Sequence, residues 1–129
     1  MTDIFELLKG KPEDSDYEKK GVIVQGITGS YGSLHAKQMI AYGTNVVAGV
    51  TPGKGGQKFE GTVPIYNSMQ EAVNATNAKI SIIFVPAKFF LGAAKDALNS
   101  GIKLLVAIPE HVPIRDTMEA LDLAKQKGA

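Results

Sequence analysis

The chain has 129 residues of which 44% are hydrophobic, enough to build one buried core and too few for two compact domains. Its 14 basic and 13 acidic residues are spread along the sequence and leave a net charge of +1, so no basic face for a nucleic-acid backbone is expected. The absence of cysteine excludes disulfides, thiolate metal sites and cysteine nucleophiles; the start lacks a basic, apolar secretion signal and no apolar run approaches the roughly 20 residues of a membrane helix, so a soluble, cytoplasmic protein is expected.

Residues 1–20 hold six acids (Asp3, Glu6, Glu13, Asp14, Asp16, Glu18) and four lysines, with few apolar residues after Leu8, the pattern of a polar, solvated extension. Ile4, Leu7 and Leu8 share one helical face, which predicts a short helix over 3–9 stopped by Gly10-Lys11-Pro12. From Gly21 the pattern becomes regular. Val22-Ile23-Val24 is a β-branched run too short for a helix, and it leads straight into glycines as a buried parallel strand does. Residues 33–42 read as a helix that packs Leu34, Ala36, Met39, Ile40 and Ala41 on a sheet and stops at Gly43. Val46-Val47-Ala48-Gly49-Val50 follows as a second strand, completing a βαβ unit.

Residues 51–61, with four glycines and a proline, read as an unpacked loop. Val63-Pro64-Ile65-Tyr66 is expected at a sheet edge because proline lacks the donor a central strand uses, and Ser68 with Glu71 forms a capping box for a helix through Ala75. Ile80-Ser81-Ile82-Ile83-Phe84-Val85 is the strongest strand, ended by Pro86. Residues 89–99 are helical by period and closed by Gly101, Leu104-Leu105-Val106-Ala107-Ile108 is a further buried strand ended by Pro109, and residues 114–127 make a final amphipathic helix. The order β-α-β-(β)-α-β-α-β-α predicts an α/β domain over 21–129, Rossmann-like, with a doubly wound, mainly parallel sheet and helices on both faces.

Ligands of such sheets bind beyond the carboxyl ends of the strands, where the strand order reverses. That rule selects the loops 26–32, 51–56, 86–89 and 109–113. The first, Gly26-Ile27-Thr28-Gly29-Ser30-Tyr31-Gly32, spaces three glycines ahead of a helix, so backbone N–H groups, the positive helix end and the Thr28 and Ser30 hydroxyls suit a phosphate; a plain helix cap with a tight turn is the alternative. Its spacing differs from the dinucleotide fingerprint G-x-G-x-x-G, and the second strand ends in Gly49-Val50-Thr51 with no acid for a ribose hydroxyl, which argues against a nicotinamide dinucleotide.

In Thr51-Pro52-Gly53-Lys54-Gly55-Gly56 the lysine can pair with a phosphate or stand solvated, and the lack of a following Ser or Thr rules out a P-loop. Pro86-Ala87-Lys88-Phe89-Phe90 offers an apolar wall for an adenine, with Phe90 equally suited to the core. Glu110-His111 sits where a ligand-orienting group would. With partners at ligand spacing absent, no metal site is expected; His35 reads as structural or orienting and His111 as an exposed loop residue.

The stretches Gln25 to Gly32, Ala41-Tyr42-Gly43-Thr44, Gly49 to Gly56, Val85-Pro86-Ala87 and Gly101-Ile102-Lys103, in that order, resemble the N-terminal CoA-binding domain of the α subunit of succinyl-CoA synthetase (succinate–CoA ligase), a tricarboxylic acid cycle enzyme. The resemblance runs from about Gly21 to the end. It implies coenzyme A as ligand, bound by Thr28, Gly29, Ser30 and Tyr31, by Lys54, and by Ile108, Pro109 and Glu110 after the last strand; Pro86 of the apolar wall joins this set. Lys88 and Pro109 depart from the family, which often has an apolar residue at the first position and a threonine or similar polar residue at the second.

The family's reaction phosphorylates a histidine in a second domain of the α subunit and passes through succinyl phosphate to the thioester, while a β subunit binds the nucleotide. Neither His35 nor His111 matches that histidine. The resemblance therefore implies a chain that binds CoA without catalysing the ligase reaction alone, with the rest of the α subunit and a β subunit as partners and a cytoplasmic location, or the mitochondrial matrix in a eukaryote. The rival readings are a stand-alone nucleotide (NAD)-binding or CoA-sensing module and a non-catalytic interaction domain.

Overall fold

The computed structural model describes residues 21–107 and 114–129. The polar extension, the helix expected over 3–9 and residues Ile108, Pro109, Glu110 and His111 lie outside the described residues. In chain order the elements are β1 (Val22–Gln25), α1 (Ser30–Ala41), β2 (Val46–Val50), β3 (Lys58–Phe59), β4 (Val63–Tyr66), α2 (Met69–Thr76), β5 (Ile80–Ile83), a 3-10 turn (Ala87–Phe89), α3 (Phe90–Asn99), β6 (Leu104–Ala107) and α4 (Ile114–Lys127). Among the described residues no helix is long and apolar enough to cross a membrane.

The strands form one sheet in the order β3-β4-β2-β1-β5-β6. All neighbours run parallel except β3, which pairs antiparallel with β4. From β1 at the centre the chain winds outward through β2 and β4, then crosses to the other side for β5 and β6. This is the doubly wound α/β order, and it places the reversal of strand order at the carboxyl end of β1, between β2 and β5.

Side-chain alternation along the strands divides the core into two faces. Val22, Val24, Ile80 and Ile82 pack against Ala36 and Met39 of α1. Ile23, Ala48 and Val50 pack against Met69, Ala72 and Val73 of α2 and Ala97 of α3, and Ile83 continues that face against Phe90 and Ala94 of α3 and Ala120 of α4. The buried Gln25 shares this second face. Its Nε2 donates to the Ala93 carbonyl at 3.0 Å and its Oε1 accepts from the Ser81 hydroxyl at 2.7 Å, so both polar atoms of this core side chain have a partner and fasten α3 to the sheet.

Four expectations need correction. The first helix begins at Ser30 rather than Ser33, so Tyr31 and Gly32 belong to its first turn. That start sets the stripe Gly32, Ala36 and Met39 toward the sheet, and Leu34 and Ile40 stay 52% and 39% exposed off its flanks. The loop 51–61 holds the short strand β3, whose Phe59 is buried in the core. As a consequence β4 is flanked on both sides and is not an edge strand; Ile65 donates to the Gln57 carbonyl toward β3, so Pro64 lacks its donor on the opposite side, where pairing with β2 starts only at Ile65. Finally, β6 is the edge and is half-buried, with Ala107 exposed, because nothing pairs with its outer side among the described residues.

Candidate functional site

The carboxyl ends of β1, β2, β4 and β5 open onto a cavity of about 450 Å³, within the range of small-ligand sites. Gln25 and Gly26 contribute from β1, Val50, Thr51 and Pro52 from β2, Asn67 from β4, and Pro86 and Phe89 from the segment after β5; α3 closes one side with Gly92, Ala93 and Asp96. The walls are mostly carbon. A few polar groups at the rim give it direction.

The first loop is built by its glycines. Gly26 turns the chain at φ +82 and its N–H donates to the Val50 carbonyl at 2.9 Å, holding the turn against β2. Gly32 permits the close approach of helix to strand, since a Cβ there would collide with the Gly26 carbonyl oxygen. Gly49 in β2 makes room for Ile27 in the same way. Gly29 then stands at the N-cap of α1 in extended conformation, and Ser33 N–H to Gly29 O at 2.7 Å is the first helical bond. Helix geometry leaves the N–H groups of Ser30, Tyr31 and Gly32 without an intrahelical acceptor.

A comparison with α2 shows what sets α1 apart. The start of α2 is closed: Ser68 accepts from the Glu71 N–H, the Asp96 carboxylate accepts from the Met69 N–H at 3.1 Å, and Glu71 places a further negative charge in the first turn. At α1 Gly29 makes no side-chain cap and no acid occupies the first turn. Between these two helix ends at the same edge of the sheet, an anion is favoured at α1 and repelled at α2.

The second loop folds over β4. Thr51 N–H reaches Tyr66 O and Gly56 N–H reaches Ile65 O, both at 3.1 Å, and between them Lys54 N–H returns to Thr51 O at 3.0 Å. Thr28 donates its hydroxyl hydrogen to the Thr51 hydroxyl at 3.1 Å, tying the second loop to the first. Lys54 is exposed on this loop. After β5, Pro86 leads into the 3-10 turn; Phe89 is 57% exposed at the cavity while Phe90 is core, and Lys88 Nζ lies 5.1 Å from the centre of the Phe89 ring. His35 stacks on Phe84 with ring centres 5.2 Å apart.

Of the residues expected from the sequence, Gly26, Thr51 and Pro86 line the cavity, Thr28 is joined to Thr51 at its rim, and Gly29, Ser30 and Tyr31 form the open start of α1. The sequence reading missed Gln25 as a wall residue, Asp96, and Asn67. The available signal for Asn67 was its place just after a strand that runs parallel to β2, hidden once that strand was assigned to the edge.

Fold and loop cluster together are those of a Rossmann-like α/β domain with a candidate ligand site at the carboxyl edge of its sheet. The chain belongs to the CoA-binding domain family, whose sequence pattern matches residues 17–111. It is 55% identical over 101 residues to the α subunit of ADP-forming succinate–CoA ligase of Aquifex aeolicus, covering 78% of this chain and 33% of that protein. To α subunit 2 of the same enzyme in Archaeoglobus fulgidus it is 47% identical over 112 residues, covering 87% of this chain and 39% of that one. The chain thus spans between a third and two fifths of the length of these relatives. Among solved structures, a conserved hypothetical protein of Pyrococcus furiosus shares the fold, with TM-score 0.66, 23% identity and coverage of 84% of this chain and 88% of that chain.

Proposed function

We propose that this chain is the CoA-binding domain of a succinate–CoA ligase α subunit. The observation that carries the reading is the pair of helix ends at the carboxyl edge of the sheet, α1 open to an anion beside an apolar cavity and α2 closed by Ser68, Asp96 and Glu71. Coenzyme A has the matching chemistry, phosphates joined to an adenine and to a long arm with amide and apolar parts. The N–H groups of Ser30, Tyr31 and Gly32, with the Ser30 hydroxyl, receive phosphate oxygens, and the Thr28 hydroxyl joins them by turning its one hydrogen from Thr51 to the ligand; Gly29 permits close approach; Lys54 neutralises phosphate charge; Pro86 and Phe89 offer apolar contact. Ile108, Pro109 and Glu110, after β6, complete the binding set by the same resemblance.

When bound, CoA supplies the thiol that takes the acyl group from an acyl phosphate. This domain holds and orients it, while the phosphorylated histidine and the nucleotide belong to the rest of the α subunit and to a β subunit. At the end of β2 the chain disfavours a dinucleotide: Thr51 stands where an acid would accept a ribose hydroxyl, and its own hydroxyl is bonded to Thr28.

Titration of NADH and of CoA into the purified chain separates the readings. CoA is expected to saturate and NADH to leave its fluorescence unchanged; Lys54→Ala is expected to weaken CoA about tenfold, the scale of one charge-assisted bond at an exposed site. Saturable NADH binding without CoA binding would establish the dinucleotide reading instead.

A further inference from the structure

Besides its backbone bonds, the lysine loop is held by a side chain outside it. Asn67, directly after β4, accepts two backbone N–H bonds on one oxygen: Gly53 N and Gly55 N each lie 3.0 Å from its Oδ1. These two amides bracket Lys54. Gly55 packs so closely on the same amide that a Cβ there would lie 2.5 Å from Asn67 Nδ2 and 2.7 Å from its Cγ. Asn67 is itself held at its backbone, where its N–H donates to Glu71 Oε2 at 3.3 Å. Through the start of α2 it is therefore anchored to a regular element, whereas residues 52–56 are all exposed.

Free glycines on both sides would let the lysine sample many backbone conformations. The paired bonds remove that freedom at the two positions adjoining Lys54. Asn67 also lines the cavity at the carboxyl ends of the strands, so the tether fixes the loop relative to the space proposed for the ligand. We propose that Asn67 is a positioning residue that presents Lys54 to the bound phosphate, acting by preorganising the loop. The role rests on CoA as ligand and on Lys54 as a phosphate partner.

Two readouts test it. Amide hydrogen exchange, followed by NMR on the free protein, should show Gly53 and Gly55 protected, exposed in Asn67→Ala, and protected again in Asn67→Asp, whose carboxylate keeps the acceptor. Calorimetry should show Asn67→Ala weakening CoA about tenfold in the otherwise unchanged protein, yet by less than about twofold in a Lys54→Ala background, because the tether then has no lysine to place. Unchanged exchange at Gly53 and Gly55, or the same loss of CoA affinity with and without Lys54, would overturn the positioning role while leaving CoA binding intact. Absence of CoA binding to the unsubstituted protein would instead overturn the functional reading on which it rests.

Discussion

Gly32 and Gln25 show how single residues build the site from opposite sides. A methyl group at Gly32 has nowhere to go, because the Gly26 carbonyl oxygen it would meet belongs to a turn already held on β2. Gly32→Ala is expected to cost about 1–3 kcal/mol by overpacking and to weaken ligand binding, read from urea denaturation and CoA titration of the same preparation. At Gln25 the cost is polar: Gln25→Met would leave the buried Ser81 hydroxyl without its acceptor, and a loss of about 1–3 kcal/mol is expected, measured as a lower urea midpoint at unchanged slope. The glycines were legible in the sequence because their role follows from what glycine lacks. The partner of Ser81 was not, since Gln25 lies 56 residues away and meets it only once β1 and β5 pair. Asn67 escaped for the same reason, its acceptor being used by amides 12 and 14 residues earlier.

At the scale of elements, the strongest sequence signals were the ones that two-sided burial imposes. β1, β2 and β5 lie inside the sheet and read as near-continuous apolar runs, interrupted by Gln25 and Ser81, so their places in the chain could be assigned from composition. The margins were harder. β3 has only two residues and a single buried side chain, Phe59, too little to stand out among glycines; without β3, Pro64 argued that β4 lay at the edge. α1 reaches one turn further toward β1 than its large apolar residues indicate, because its close contact with the sheet there selects a glycine, Gly32. The capping of α2 was legible, and the structure modifies its detail: Ser68 bonds the Glu71 N–H, but the Glu71 carboxylate returns to the N–H of Asn67, one residue before the cap. Ser68→Ala is expected to lower stability by about 1 kcal/mol in equilibrium denaturation, with α1 and its open first turn unaffected.

For the whole molecule, topology and ligand chemistry meet at one edge. The doubly wound order brings the ends of β1, β2, β4 and β5 together, although their residues are far apart in the chain, and the start of α1 is then left open while that of α2 is closed. The chain belongs to the CoA-binding domain family and spans a third to two fifths of the length of the relatives it matches. The central claim, that the first turn of α1 receives the ligand's phosphate, is tested most directly by following backbone amides in an NMR titration with CoA. Saturable shifts at Ser30, Tyr31 and Gly32, with those of Glu71 and Ala72 in α2 left in place, are the predicted result. No saturable shift at millimolar CoA, or the largest shifts at the start of α2, would contradict it.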